Sequence, residues 1–314
     1  MSQSIRLQVA APFSLRATAL SHGWHECSPI SWSEGGRCLQ VVEREGDRAY
    51  CIWVVETKRP KSKVTLRVTV EGDGLDEAVL ARARDRIAIM LNLEADLSEF
   101  YAICRKHPTL YVIPRIGAGR LLRSASMTEN IIKTLCATNV NWTQAVKMIN
   151  RLGQLGPPVR HFRHLTAWPT VGEILRAGED YLKGVCRLGY RAEGLLAFCR
   201  EVHTKRFKPD GLLDPADSDE GAELLTKLQS IRGIGPSSAH FLLSLLGHYD
   251  RLSIDSATLA HVARTHRNGR RTTPREVERI YEDFGPWKNL VYWFENWLTW
   301  DTAKKIGREA VAAD

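Results

Sequence analysis

The sequence predicts an α+β protein in which a small N-terminal antiparallel sheet packs on a helical body. Apolar residues alternate with polar ones as far as Val70, and from Leu75 the period becomes helical and stays so to the end. No low-complexity linker or internal repeat intervenes, so the two parts are expected to pack directly. A chain of 314 residues can bury a substantial core. The expected division is a sheet domain with a flanking helix over residues 1–115 and a helical body over 116–314.

Strand signals lie between residues 13 and 70. Cys38 to Val42 and Tyr50 to Val55 flank the polar turn Glu43 to Asp47, and Val64, Leu66, Val68 and Val70 alternate with Thr65, Arg67 and Thr69. That pattern predicts a sheet with one wet face. The basic run Lys58 to Lys63 precedes the last of these strands and reads as a solvated loop or as a contact to phosphate. The first helix is expected over Leu75 to Leu93. Further on, Thr170 with Glu173 and Thr273 with Glu276 have the spacing of capping boxes, the second with Pro274 at the first helical position.

The 44 Lys and Arg against 36 Asp and Glu give a formal charge of +8, which suits a polyanionic partner without specifying one. Seven cysteines show no CxxC pair and no metal-ligand spacing, and so read as buried thiols of a reducing compartment. The first thirty residues have no basic stretch leading into an apolar run and no later segment approaches about 18 uncharged apolar residues, so neither secretion nor a membrane span is expected. An intracellular protein is expected, cytoplasmic (at the nucleoid) or nuclear, and monomeric.

The densest motif runs from Leu225 to Val262. An apolar helix leads into the tight turn Ile231-Arg232-Gly233-Ile234-Gly235, a second helix opens at Pro236, and Asp255 stands at the mouth of a third. The glycines permit a sharp turn, and proline suits the first helical position because its missing N–H would be unpaired there. The amides of Ser237 and Ser238 at this helix start are a natural seat for a phosphate.

The pattern Leu228-x-x-Ile231-x-Gly233-Ile234-Gly235-x-x-x-Ala239, with Asp255 twenty residues after Gly235, resembles the helix-hairpin-helix superfamily of DNA glycosylases. The hairpin would span 225–247 and the catalytic aspartate region 250–264. Gly119 to Arg123 leading into Ile131 to Asn141, and Trp168-Pro169-Thr170 leading into Arg187 to Ala192, resemble segments of the 8-oxoguanine branch in the same order. The resemblance covers roughly Phe13 to Trp300 and is loosest in the sheet.

That resemblance implies an enzyme that flips a base out of duplex DNA and breaks its N-glycosidic bond. Asp255 matches the carboxylate that stabilises positive charge on the sugar and activates water; it also reads as a helix N-cap, and one residue can serve both ends. Tyr190 matches an aromatic wedge, and Asn139 and Arg191 match residues at the vacated space and the widowed base. Ser237 falls where strand-nicking relatives carry a lysine, and serine forms no imine, so hydrolysis without nicking is expected. Gln144 replaces the arginine that reads the widowed cytosine. Trp142 beside it, together with Tyr292 and Trp293, is assigned to the base pocket, with Trp297 nearby; helix core at i, i+4 spacing is the competing reading. Aromatic walls favour cationic, alkylated purines.

The expected function is therefore a monofunctional DNA glycosylase of base excision repair acting on duplex DNA that contains an alkylated purine. The alternatives are an 8-oxoguanine glycosylase, with or without lyase activity, and a silent lesion-binding protein. In relatives, hairpin carbonyls hold potassium or sodium; here these would be the carbonyls of Gln229, Ile231 and Ile234. No other cofactor is required. An iron–sulfur cluster is not expected, because it takes four cysteines after the catalytic aspartate and the last cysteine is Cys199. The basic loop Arg264, His266, Arg267, Arg270 and Arg271 reads as a solvated loop or a clamp on the DNA backbone.

Overall fold

The computed structural model describes residues 1–58, 63–213 and 221–311. Most of the basic run before the last expected strand, residues 59–62, lies outside the described residues.

The sheet has strands β1 (Ser2–Ala10), β2 (Ile30–Ser33), β3 (Cys38–Glu45), β4 (Arg48–Lys58) and β5 (Lys63–Glu71) in the antiparallel order β1-β5-β4-β3-β2. Val64, Leu66, Val68 and Val70 are buried while Arg67 faces outward, as the alternation requires. The sheet is wider than the sequence signals suggested. β1 pairs with β5 over nine residues, from Ser2 with Glu71 to Ala10 with Lys63. Residues 13–29, by contrast, hold a short helix α1 (Leu15–Ala19) and a 3₁₀ turn (Gly23–Glu26).

Helix α2 (Glu77–Met90) lies against β1 and β5 through Val79, Ala83, Ile87 and Met90, which share one face. Its cap is Asp76, whose carboxylate accepts from Val79 N at 2.8 Å. Then come α3 (Ser98–Lys106), α4 (Val112–Arg115), α5 (Met127–Ala137) and α6 (Trp142–Gly153). The helical run expected from Leu75 onward is broken here: β6 (Pro158–Val159) and β7 (Phe162–Thr166) form a hairpin, and Val159 pairs in parallel with Ala49 of β4. Adjacent Pro157 and Pro158 cannot continue a helix, and the excursion buries Val159 and Ala167 against Val42 and Cys51.

The remaining helices are α7 (Val171–Gly184), α8 (Arg191–His203), α9 (Gly221–Gln229), α10 (Pro236–Leu246), α11 (Ser256–His266), α12 (Pro274–Tyr281), α13 (Lys288–Trp297) and α14 (Asp301–Val311). Both expected capping boxes form, at Thr170 with Glu173 and at Thr273 with Glu276. One buried cluster runs from Leu39, Ile52 and Leu66 of the sheet through Phe100, Ile132 and Leu242 to Trp297, without a break near residue 115. Trp297 is core, as the i, i+4 reading had it, and its Nε1 donates to Leu20 O at 2.8 Å. All seven cysteines are free and buried. Among the described residues no helix is long and apolar enough to cross a membrane.

Candidate active site

Helices α9 and α10 make the hairpin. Gly233 takes φ +99, a left-handed conformation that side chains resist, and a Cβ there would meet Leu135 Cδ2 at 3.0 Å. Gly235 is the N-cap of α10 and offers no capping side chain, and Pro236 follows at the first turn. The amides of Ser237 and Ser238 consequently find no hydrogen-bond acceptor among the described residues. They are free donors at the positive end of a helix dipole.

The loop that follows is tied to this end. Ser237 Oγ lies 3.2 Å from Ser253 Oγ, Ser253 Oγ donates to Ser237 O at 2.9 Å, and Ser253 N donates to Asn289 Oδ1 at 3.0 Å. Two residues on, Asp255 caps α11. Its Oδ1 accepts from Thr258 N at 2.8 Å and from Thr258 Oγ1 at 3.0 Å, while no hydrogen bond reaches Oδ2 among the described residues. One oxygen serves the helix and the other is left for the cavity that Asp255 lines.

That cavity, of about 640 Å³, is lined by Ser237, Ser238, Ser253 and Asp255 on one side and by aromatic rings on the other. Trp24 stacks near Trp142 (6.0 Å, 26°), Phe241 stacks near Trp293 (5.8 Å, 28°), and Trp24 meets Phe241 edge-on at 5.7 Å. Of the three residues assigned to the pocket from sequence, Trp142 and Trp293 line it and Tyr292 does not. Tyr292 is buried behind Asp255, its hydroxyl 2.9 Å from Thr258 Oγ1. Adjacent helical positions diverge by about 100°, so the residue before Trp293 points to α11 instead of the cavity. Burial first, then the neighbouring carboxylates of Asp255 and Glu295, push the Tyr292 hydroxyl far above its ordinary range, so it stays protonated; its bond to Thr258 opposes this.

The residues that sequence reasoning missed come from the N-terminal part. His22, Gly23, Trp24, His25 and Glu26 bring a second wall to the cavity, with Phe241 from α10 and Trp300, Asp301 and Thr302 from the α13–α14 junction. Gly23 is the contact that lets Trp142 lie down: a Cβ there would stand 2.0 Å from Trp142 Cζ2. Trp142 also donates from Nε1 to Glu26 Oε1 at 2.9 Å. The Gly23→Ala variant is therefore expected to lift Trp142 off this wall. Its signature is a red-shifted, more quenchable tryptophan emission that Gly23→Ala, Trp142→Phe no longer shows.

His22 is neutral and fixed. Its Nε2 donates to Leu122 O, its Nδ1 accepts from Trp24 N at 3.3 Å, and burial holds its pKa down to about 3. The folded state thus resists a proton that the unfolded chain takes up near pH 6.5, so stability is whole above that pH and is lost as pH falls toward 3. Between pH 6.5 and 4 this group alone should remove about 3 kcal/mol. Urea titrations of wild type and His22→Gln across that range should differ in slope by about one proton.

At the other edge of the hairpin the three residues expected at the opened stack do meet. Asn139, at φ +50, donates from Nδ2 to Tyr190 Oη at 3.3 Å, and Arg191 donates to Thr138 O at 2.7 Å and to Asn139 O at 2.9 Å. The Arg191 guanidinium sits 4.6 Å over the Tyr190 ring, which is 65% exposed. Gln144 is exposed in the first turn of α6, and its side chain makes no hydrogen bond among the described residues. In the basic loop, Arg267 pairs with Glu276 and His266 with Glu295, while Arg264, Arg270 and Arg271 form no ion pair among the described residues.

The chain has the fold of solved DNA glycosylases. The 3-methyladenine DNA glycosylase of Archaeoglobus fulgidus superposes with a TM-score of 0.72 at 20% identity, covering 94% of this chain and 98% of that one. MBOgg1, solved with a low-affinity DNA ligand, gives 0.70 at 19% identity over 98% and 96%. The 8-oxoguanine glycosylase/lyase of Clostridium acetobutylicum gives 0.68 at 16% identity over 94% and 98%. No protein-family model and no curated protein sequence matches the chain.

Proposed function

We propose that the chain is a monofunctional DNA glycosylase that takes a damaged or modified purine, an alkylated one first, out of duplex DNA. The observation that carries this reading is the placement of Asp255. Asp255 lines an aromatic-walled cavity beside free amides at a helix start, and one of its oxygens takes no hydrogen bond among the described residues. DNA phosphate would seat on the Ser237 and Ser238 amides, Tyr190 would fill the gap left by the flipped nucleotide, and Asn139, Arg191 and Gln144 face the widowed base.

As the C1′–N bond breaks, its electron pair leaves with the base and positive charge grows on the sugar. Asp255 Oδ2 stabilises that charge and takes the proton of the water that attacks C1′. An N-alkylated purine is already cationic and leaves neutral, so no general acid is needed for it. Trp24, Phe241 and Trp293 attract such a base by its face, and Glu26 and Asp301 add negative charge to the same lining. Against imine chemistry, no lysine is among the described residues that line the cavity: Ser237 has a hydroxyl, and Lys133 is wholly buried, 2.7 Å from Glu129 and stacked on Trp24 and Trp168.

The hairpin offers oxygens to a monovalent cation. The carbonyls of Gln229 and Ile234 accept no backbone hydrogen bond among the described residues, and that of Ile231 accepts one from Ile234 N at 2.9 Å. Potassium or sodium held there would neutralise part of the phosphate charge.

The decisive experiment offers duplexes with 3-methyladenine, 7-methylguanine, hypoxanthine, uracil and 8-oxoguanine side by side and follows free base and nicking. Alkylpurine release with nicks only after alkali is expected. Release of 8-oxoguanine alone would move the substrate to the oxidised class, and binding without release of any base would make the protein a silent lesion binder.

A further inference from the structure

In the second half of α11, two imidazoles and a carboxylate converge. His261 Nε2 lies 3.1 Å and His266 Nε2 2.8 Å from one oxygen, Oε2 of Glu295 on α13, and the three groups place ligand atoms within 4.8 Å of one another. Tyr281 Oη, from the end of α12, stands 2.5 Å from that same oxygen and 3.4 Å from His266 Nε2. We propose that these residues form a structural site for zinc or a similar borderline divalent cation. His261 Nε2, His266 Nε2 and Glu295 Oε2 are its ligands, and Tyr281 or a water completes the set.

Three features of the cluster carry this. His261, His266 and Tyr281 all gather on one carboxylate oxygen, Oε2 of Glu295; without an ion they serve it as hydrogen-bond partners, and the two imidazole nitrogens and that oxygen can turn their lone pairs to a cation instead. Two imidazoles and one carboxylate form a donor set suited to zinc, whose tetrahedron at bond lengths near 2.0–2.1 Å has edges of about 3.3 Å. His266 Nε2 and His261 Nε2, 2.8 and 3.1 Å from Glu295 Oε2, come close to that edge, whereas Tyr281 Oη, 2.5 Å from the same oxygen, would move outward to make room for the ion. Burial completes the setting: the His261 and Glu295 side chains are 1% and 11% exposed, and His266, at 29%, leaves an entry path.

The consequence is mechanical. A cation here joins α11, α12 and α13, and α11 is the helix that Asp255 caps. Affinity has a visible limit as well. His261 Nδ1 is buried and has no hydrogen-bond partner among the described residues, so this ligand lacks the outer hydrogen bond that orients a metal-bound histidine. Loss of such a bond typically weakens binding roughly 10- to 100-fold.

The test uses the whole protein and cobalt(II) as a spectroscopic probe, with zinc content of the purified protein measured by mass spectrometry. Expected are the intense visible bands of four-coordinate cobalt at one equivalent per chain, their displacement by zinc, and a rise in melting temperature with either metal. His266→Gln, at a partly exposed position, should bind at least about 10-fold more weakly while remaining folded by circular dichroism. Absence of the bands in wild type overturns the site, as does equal binding by His266→Gln. If that variant fails to fold, Glu295→Gln serves in its place, and unchanged bands there overturn the proposal equally. None of these readouts depends on base release.

Discussion

Asp255→Asn should lower base release by roughly 10²- to 10⁴-fold and leave duplex affinity nearly unchanged. The two effects separate because the cap uses one oxygen of this aspartate and the proposed chemistry uses the other. Oδ1 accepts from Thr258 N and Thr258 Oγ1, a role that an asparagine oxygen fills about as well. Oδ2 carries the charge that would face the sugar, and asparagine has none to offer. Asp255→Ala loses both, so its added cost should appear as about 1 kcal/mol of stability in urea titrations. Release by Asp255→Asn at the wild-type rate, on any base that wild type removes, would take the chemistry away from this carboxylate.

What could be read from the sequence was whatever local chemistry determines. The hairpin follows from Gly233, which tolerates a left-handed backbone that side chains resist, and from Pro236, which fixes its own φ, and Asp255 announces a helix start on its own. The capping boxes at Thr170 and Thr273 are four-residue signals and form as expected. The pocket is another matter, because its walls meet only through the fold. Trp24 lies 217 positions before Phe241 (241 − 24 = 217), yet their rings meet at 5.7 Å. No pattern near His22 announces that Gly23 is the floor on which Trp142 lies. Tyr292 was misplaced by one position of helix rotation, which turned a supporting hydroxyl into an imagined pocket wall. Even so its true position matters, since Tyr292 braces Thr258, and Thr258 braces Asp255. The β6–β7 hairpin was missed for a related reason: the two residues of β6 have no periodicity to detect, and they become a strand only through pairing with β7 and with β4 at Ala49.

If the site is hydrolytic as proposed, Ser237→Lys should turn it into one that traps DNA. Ser237 is at the second position of α10, on the cavity wall, and its hydroxyl lies 3.2 Å from that of Ser253, two residues from Asp255. A lysine there reaches the same cavity with an amine. The helix start and its positive dipole disfavour a second positive charge, so the amine is driven toward its neutral, nucleophilic form. Attack of that nitrogen on C1′ expels the base with its bonding electrons. Loss of the amine proton and opening of the sugar then give an imine, which borohydride reduces to a stable amine. The measurement is a shifted, borohydride-dependent protein–DNA band on a gel, which wild type should lack on every lesion it excises. A band in Ser237→Lys that disappears in Ser237→Lys, Asp255→Asn would show that amine and carboxylate act on the same C1′. A borohydride-dependent band in wild type would instead mean that another lysine already reaches the sugar, and the hydrolytic reading would fall with it.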